Sequence, residues 1–176
     1  MARPTPTASI SSWVTARPDS VEPGEDLVVY RSDAPYEAER IGAAAVYCSD
    51  GRLGAQFDDF LHNALLLPRY DRLAVPGGAA CLSGHFDTWR EEEAAINQLR
   101  FLVECHGLRR VVLIAHEGCA FYTERLRVST LGLLERQHED LAKAVQRVRE
   151  LRRDLEVEAY FARLDGDSVG FEHLRL

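Results

Sequence analysis

The sequence predicts an α/β fold with a mainly parallel central sheet, flanking helices and a C-terminal hairpin or edge strand. Three observations predict it. Two apolar runs, Ala43 to Tyr47 and Val111 to Ala115, have the length and composition of buried strands. Stretches with apolar residues at three- and four-residue spacing lie between and after them, and strands alternating with such helices imply βαβ units. Near the C-terminus, Glu156 to Leu164 alternates, Asp165-Gly166 is a strong turn signal, and Ser168 to Leu174 returns as the second arm of a hairpin.

Residues 1–24 are rich in Pro, Ser and Thr and read as an N-terminal arm, mobile or laid across a partner subunit. The acid-free start with Arg3 and Arg17 also resembles a transit segment, but four prolines by Pro23 and no apolar stretch favour a plain arm. Residues 25–176 form a single domain. Asp26 to Asp33 reads as a short strand, and Glu37 to Arg40 as the end of a helical turn. Phe57, Phe60, Leu61, Ala64 and Leu65 share one helical face, which Pro68 ends. Asp71 to Val75 is a short strand closed by the breaker Pro76-Gly77-Gly78. Thr88 caps a helix with Ile96, Leu99, Val103 and Cys105 on its apolar side; Glu91, Glu92 and Glu93 suit its dipole, and Gly107 ends it. A long amphipathic helix follows Ala115, with Leu134, Leu141, Val145, Val148 and Leu155 along one side.

A chain of 176 residues with 46% hydrophobic and 28% charged residues suits one soluble globular domain. The net charge of −7 and the lack of a basic block argue against a nucleic-acid partner. No apolar run approaches the roughly 18 residues that span a bilayer. Cys48, Cys81, Cys105 and Cys119 are too few and scattered for a disulfide scaffold, so reduced thiols and a cytoplasmic location are expected.

The chemistry gathers at Cys48-Ser49-Asp50-Gly51-Arg52 and His116-Glu117-Gly118-Cys119, each directly after a predicted strand. In a parallel sheet, ligands bind outside the carboxyl ends of the strands. Cys48, His116 and Cys119 offer two thiolates and an imidazole, a soft donor set that suits Zn2+. Two thiolates neutralise the ion, leaving its water less acidified than three histidines would, so a helper group is useful. Asp50 lies two residues from a ligand, and Arg52 can hold its carboxylate through a bidentate ion pair.

C-x-D-x-R after one strand and H-x-x-C after a later one resembles the pattern of the beta-class carbonic anhydrases. The likeness spans roughly Ala43 to Leu174: Phe57 to Leu67 with Tyr70 to Val75, Glu93 to His116, and the closing Glu156 to Leu174 all resemble that family's elements. The resemblance implies that Cys48, His116 and Cys119 are zinc ligands, and that Asp50 orients the attacking hydroxide or gates the metal with Arg52 as its partner. It implies a lyase (a carbonate dehydratase) that reversibly hydrates carbon dioxide to bicarbonate. It also implies a homodimer or higher homo-oligomer with N-terminal arms wrapping the neighbour.

One stretch departs from the pattern. Where the family usually carries Arg-Asn-Ala-Gly, this chain has Pro76-Gly77-Gly78-Ala79, so the bracing of that loop must come from elsewhere. A divergent zinc-binding relative, with another small substrate or no hydratase activity, is therefore a second reading. A third is a cysteine phosphatase or sulfurtransferase, since Cys119 to Arg125 fits C-x5-R; Phe121, Tyr122 and Glu124 stand where that loop needs small residues around an oxyanion. The other candidates have structural readings: His62, His106 and His138 on helix surfaces, His85 in a loop, Cys105 in the core, Glu117 as a solvated charge, and Cys81 beside the glycine loop.

Overall fold

The computed structural model describes residues 28–176, and a compact unit runs from Glu39 to Leu176. Its strands are β1 (Ala43–Cys48), β2 (Asp71–Val75), β3 (Arg110–His116), β4 (Glu156–Asp165) and β5 (Ser168–Leu174). They form one sheet in the order β2-β1-β3-β4-β5. The first four are parallel, and β5 returns antiparallel beside β4 with Asp165 opposite Ser168, as Asp165-Gly166 predicts.

The central strands are buried along almost their whole length, which is why they read as unbroken apolar runs. Alternation still divides their side chains. Ala44, Val46, Val111 and Leu113 face α2 (Trp89–Cys105) and α3 (Leu133–Arg149), where Leu99, Val103, Leu141 and Val148 complete the larger core cluster. Ala45, Tyr47, Val112 and Ile114 face Phe57 and Leu61 on the opposite side, with Phe60 and Phe171 at its margin. Helices thus cover both faces, as a parallel sheet requires.

Several local expectations are corrected. Residues 28–33 form no strand: Val28, Val29 and Tyr30 are exposed, and β propensity without a packed, paired surface does not make one. Asp26 and the arm at 1–24 lie outside the described residues, and Glu37 to Arg40 is not helical. The helix after Cys48 is α1 (Gly54–Asp59), which widens into a π-helical turn over Phe60–Ala64. That widening breaks the 3.6-residue phase, so Phe57 and Leu61 are buried while Ala64 is exposed. Cys105 is exposed at the end of α2, not in the core. Leu134 is exposed at the start of α3, and Leu155 lies in the turn beyond its end. Among the described residues no helix is long and apolar enough to cross a membrane.

Phe161 on β4 is fully buried in the larger cluster, whereas Phe101 on α2 is 59% exposed. Phe161→Ala is expected to lower the unfolding free energy by about 3–5 kcal/mol in denaturant titration, and Phe101→Ala by no more than about 0.5.

Candidate metal centre

From β1 the chain crosses to β2 on one side, and from β3 it crosses to β4 on the other. That reversal opens a crevice between the carboxyl ends of β1 and β3, where open α/β sheets take their ligands. Cys48 is the last residue of β1 and His116 the last of β3. Gly118, with φ of +66°, turns the chain back in a conformation open to glycine, and Cys119 comes to lie beside both.

All three residues are buried, and their donor atoms lie within 4.8 Å of one another, so they could hold a metal ion. The two sulfurs are 3.9 Å apart. Two sulfurs each about 2.3 Å from a tetrahedral zinc ion would stand about 3.8 Å apart, so the spacing fits. The Nδ1–H of His116 donates to the Glu117 carbonyl at 2.8 Å, which fixes the tautomer and leaves the Nε2 lone pair free. Nε2 is buried with no hydrogen-bond partner. A buried orphan acceptor costs free energy unless something fills its place, and a cation among two sulfurs would do so. The sulfur pair is itself polarised. Hydrogen bonding to Cys119, against the opposing effect of burial, holds the Cys48 thiol well below the usual range, and the same contact with burial pushes Cys119 up.

Asp50 and Arg52 sit at the mouth of the crevice. Arg52 Nε donates to Asp50 Oδ1 at 2.9 Å and its second terminal nitrogen to Oδ2 at 2.6 Å, while the Arg52 backbone N–H also reaches Oδ1. These bonds hold the Asp50 carboxyl down at about 2. Asp50 thus rests on Arg52 as a permanent carboxylate. Beside it opens a cavity of about 730 Å³, lined largely by apolar atoms of Val75, Pro76, Ala94, Ala95 and Phe121, with Cys48 and Asp50 in its wall.

A family model described as "Putative carbonic anhydrase" matches residues 38–169. The chain belongs to this family. Among solved structures, the carbonic anhydrase from Glaciozyma antarctica is similar with a TM-score of 0.50 and 18% identity, covering 75% of this chain and 83% of that one. The beta-carbonic anhydrase isoform I from Trichomonas vaginalis has a TM-score of 0.49 and 15% identity, over 80% of this chain and 87% of that one. No curated protein matches the chain. At 18% identity the likeness to the first is one of fold.

The family's departing loop proves to be built into the site. After Val75 the chain makes a 3₁₀ turn over Gly78–Leu82, every residue of it buried. Gly78 has φ of +54°, and a Cβ there would lie 2.5 Å from the Cys48 backbone nitrogen. Glycine is required at this position by both backbone conformation and close approach. Cys81 lines the cavity but is not one of the three donors; its thiol donates to the Pro76 carbonyl at 2.8 Å, and burial pushes it up to about 12.

Other readings shift. Phe121–Arg125 forms a π-helical turn in which Arg125 pairs with Glu91 on α2 at 2.7 Å, so C-x5-R here is not an anion-cradling loop. Glu117 is not a free solvated charge, because its Oε2 accepts the Leu164 N–H. His85 is not a plain loop histidine but is buried between Glu92 and Asp140. His62 and His138 are half-buried and His106 exposed, as expected. Gln137, unremarked in the sequence, is buried and donates from Nε2 to the His116 carbonyl at 2.8 Å, steadying a donor-bearing strand end from α3. Its run, Glu135 to Asp140, reads as a solvated helix face and carries no sequence signal for this role.

Two measurements check this construction. Arg52→Gln is expected to raise the Asp50 pKa from about 2 toward the ordinary 3.8, read by NMR titration of its carboxylate. Because the folded pKa is depressed, the pair's contribution to stability is present above the ordinary carboxylate pKa and is lost as pH falls through about 2. Gly78→Ala is expected to cost more than about 2 kcal/mol in thermal or denaturant unfolding, as a left-handed backbone and a clash with β1 combine.

Proposed function

We propose that the chain is a zinc-dependent carbonic anhydrase-like lyase, interconverting carbon dioxide and water with bicarbonate and a proton. The observation that carries the reading is the donor trio Cys48, His116 and Cys119, with the His116 Nε2 buried and unpartnered beside an ionised Asp50. Family membership and fold support it.

Bound there, zinc would supply a Lewis acid that makes water a competent nucleophile near neutral pH. Two thiolates and one imidazole hold the charge, and the Glu117 carbonyl keeps the imidazole in the binding tautomer. Asp50, ionised through Arg52, is an acceptor only. It can take a hydrogen bond from the attacking oxygen and so aim that oxygen's lone pair toward the cavity. Arg52 holds the acceptor in place and stays charged throughout. The largely apolar cavity suits a neutral substrate. The resemblance carries with it a homodimer or higher homo-oligomer, with the arm over residues 1–24 wrapping the neighbour; reduced cysteines suit a cytoplasmic location, and the net charge of −7 argues against a nucleic-acid partner.

A second reading, a relative acting on another neutral small molecule, is favoured by the cavity itself. Its volume of about 730 Å³ is far more than a triatomic substrate fills.

Metal analysis and stopped-flow kinetics test these readings. The purified protein is expected to hold about one zinc per chain, lost in Cys48→Ser and His116→Ala, and to hydrate carbon dioxide across pH 7–9. Asp50→Ala is expected to keep its zinc while losing about 10²–10³-fold in rate. A metal-free protein sinks the zinc assignment; a zinc protein no faster than buffer leaves the second reading.

A further inference from the structure

The glycine loop that supports Cys48 lacks polar side chains of its own, yet the chain immediately after it ends in a buried charge network. Gly84 N–H and His85 N–H donate to the two oxygens of Glu92 on α2, the latter at 2.8 Å, and the Thr88 hydroxyl adds a bond at 2.7 Å. The His85 ring lies between two carboxylates that are almost fully buried. Nδ1 is 3.1 Å from Glu92 Oε1, and Nε2 is 2.8 Å from Asp140 Oδ2 on α3. An ionised carboxylate accepts only, so a ring bonded at both nitrogens to two of them must donate from both and is an imidazolium.

The groups around it favour that state. On α3, Arg136 Nε stands 3.0 Å and Lys143 Nζ 3.5 Å from Asp140, and Arg147 lies 3.4 Å from Glu92. Arg147 also pairs with Glu93 on α2. From the segment after β3, the buried Tyr122 lies close to Asp140, and Ser83 in the loop lies 3.3 Å from the His85 ring. Burial alone would push His85 down, but its bonds to Asp140 and Glu92 outweigh that and hold it up at about 9.

The network reaches the donors through the backbone. Ser83 Oγ donates to the Ala80 carbonyl at 2.7 Å, and Ala80 packs against Cys48 and Cys119. Gly78 abuts the Cys48 backbone.

We propose that His85 is a positioning residue for the metal site: as an imidazolium clamped between Glu92 and Asp140, it pins the Gly77–Ser83 loop to α2 and α3 and so holds Cys48 ready for metal. The clamp supplies the bracing that Pro76-Gly77-Gly78-Ala79 lacks. The inference rests on the reading of Cys48, His116 and Cys119 as zinc ligands.

The test measures zinc affinity of the full-length protein by competition with a chromophoric chelator. His85→Gln is expected to bind zinc about 10- to 100-fold more weakly than wild type at pH 7.5, the range found when outer-shell supports of a metal site are removed. Glu158→Gln, which removes the remote Arg110–Glu158 pair, is expected to leave zinc affinity unchanged. The sign of the pH effect is set by a folded pKa above the ordinary 6.5: the clamp is complete below 6.5 and lost as pH rises through about 9. The gap between wild type and His85→Gln therefore closes above pH 9. A folded His85→Gln protein with wild-type zinc affinity, or a gap equal at pH 7.5 and 9.5, overturns the proposal. Should His85→Gln not fold, NMR of the wild-type His85 ring decides alone: a ring protonated at both nitrogens at pH 7.5 is expected, and a neutral ring there overturns the clamp. A wild type that takes up no zinc defeats the metal reading itself, a result distinct from a zinc-binding wild type matched by His85→Gln.

Discussion

The divergence of the crossovers that leave the parallel strands β1 and β3 in opposite directions across the sheet is the constraint on which the rest depends. Parallel neighbours lie about 4.8 Å apart, so two strands that end together deliver their last residues within reach of a single ion. Because the crossovers from these strands diverge, no connecting loop fills the space above Cys48 and His116. Cys119 reaches the same space only because Gly118 turns the chain sharply after β3. The hydrophobic core serves this arrangement by burying both strands on both faces, which holds their ends in fixed register.

Charge is handled differently at the two depths of the molecule. Asp50 and Arg52 meet near solvent, where a bidentate pair keeps the carboxylate ionised at little desolvation cost. Glu92, Asp140 and His85 are buried, where an unpaired charge would be strongly destabilising. There the carboxylates accept from backbone amides, a hydroxyl, the imidazolium and arginines together, and these bonds offset the cost of burying the charge; Asp140 Oδ1 accepts no hydrogen bond and has Lys143 Nζ 3.5 Å away. Its members come from the loop, α2 and α3, so it ties the cover of the site to the two helices behind it.

The strands with a clear apolar run and the Asp165-Gly166 hairpin were legible because burial on both faces and turn chemistry leave local marks. The run Val28-Val29-Tyr30 carried the same mark without a sheet to receive it. The phase of the first helix was misjudged where a π-turn interrupts it, since side-chain spacing does not report a change of hydrogen-bond ladder. Cys105 looked apolar by helical position, yet the last turn of α2 leaves it exposed while Val103 stays buried.

By itself the sequence determined the donor chemistry. Cys48, His116 and Cys119 follow strand-like runs, and Asp50 lies two residues from Arg52, so the soft donors and the local ion pair could be read from composition and short spacing. Only the tertiary structure decided what holds them. His85 and Asp140 are 55 residues apart, and Gln137 reaches the His116 carbonyl across 21. Each of these side chains is polar in a polar stretch, which is how a solvent-facing residue also reads. Whether such a group faces water or a buried partner is set by which elements pack against it, and packing is a property of the fold rather than of any local run of residues.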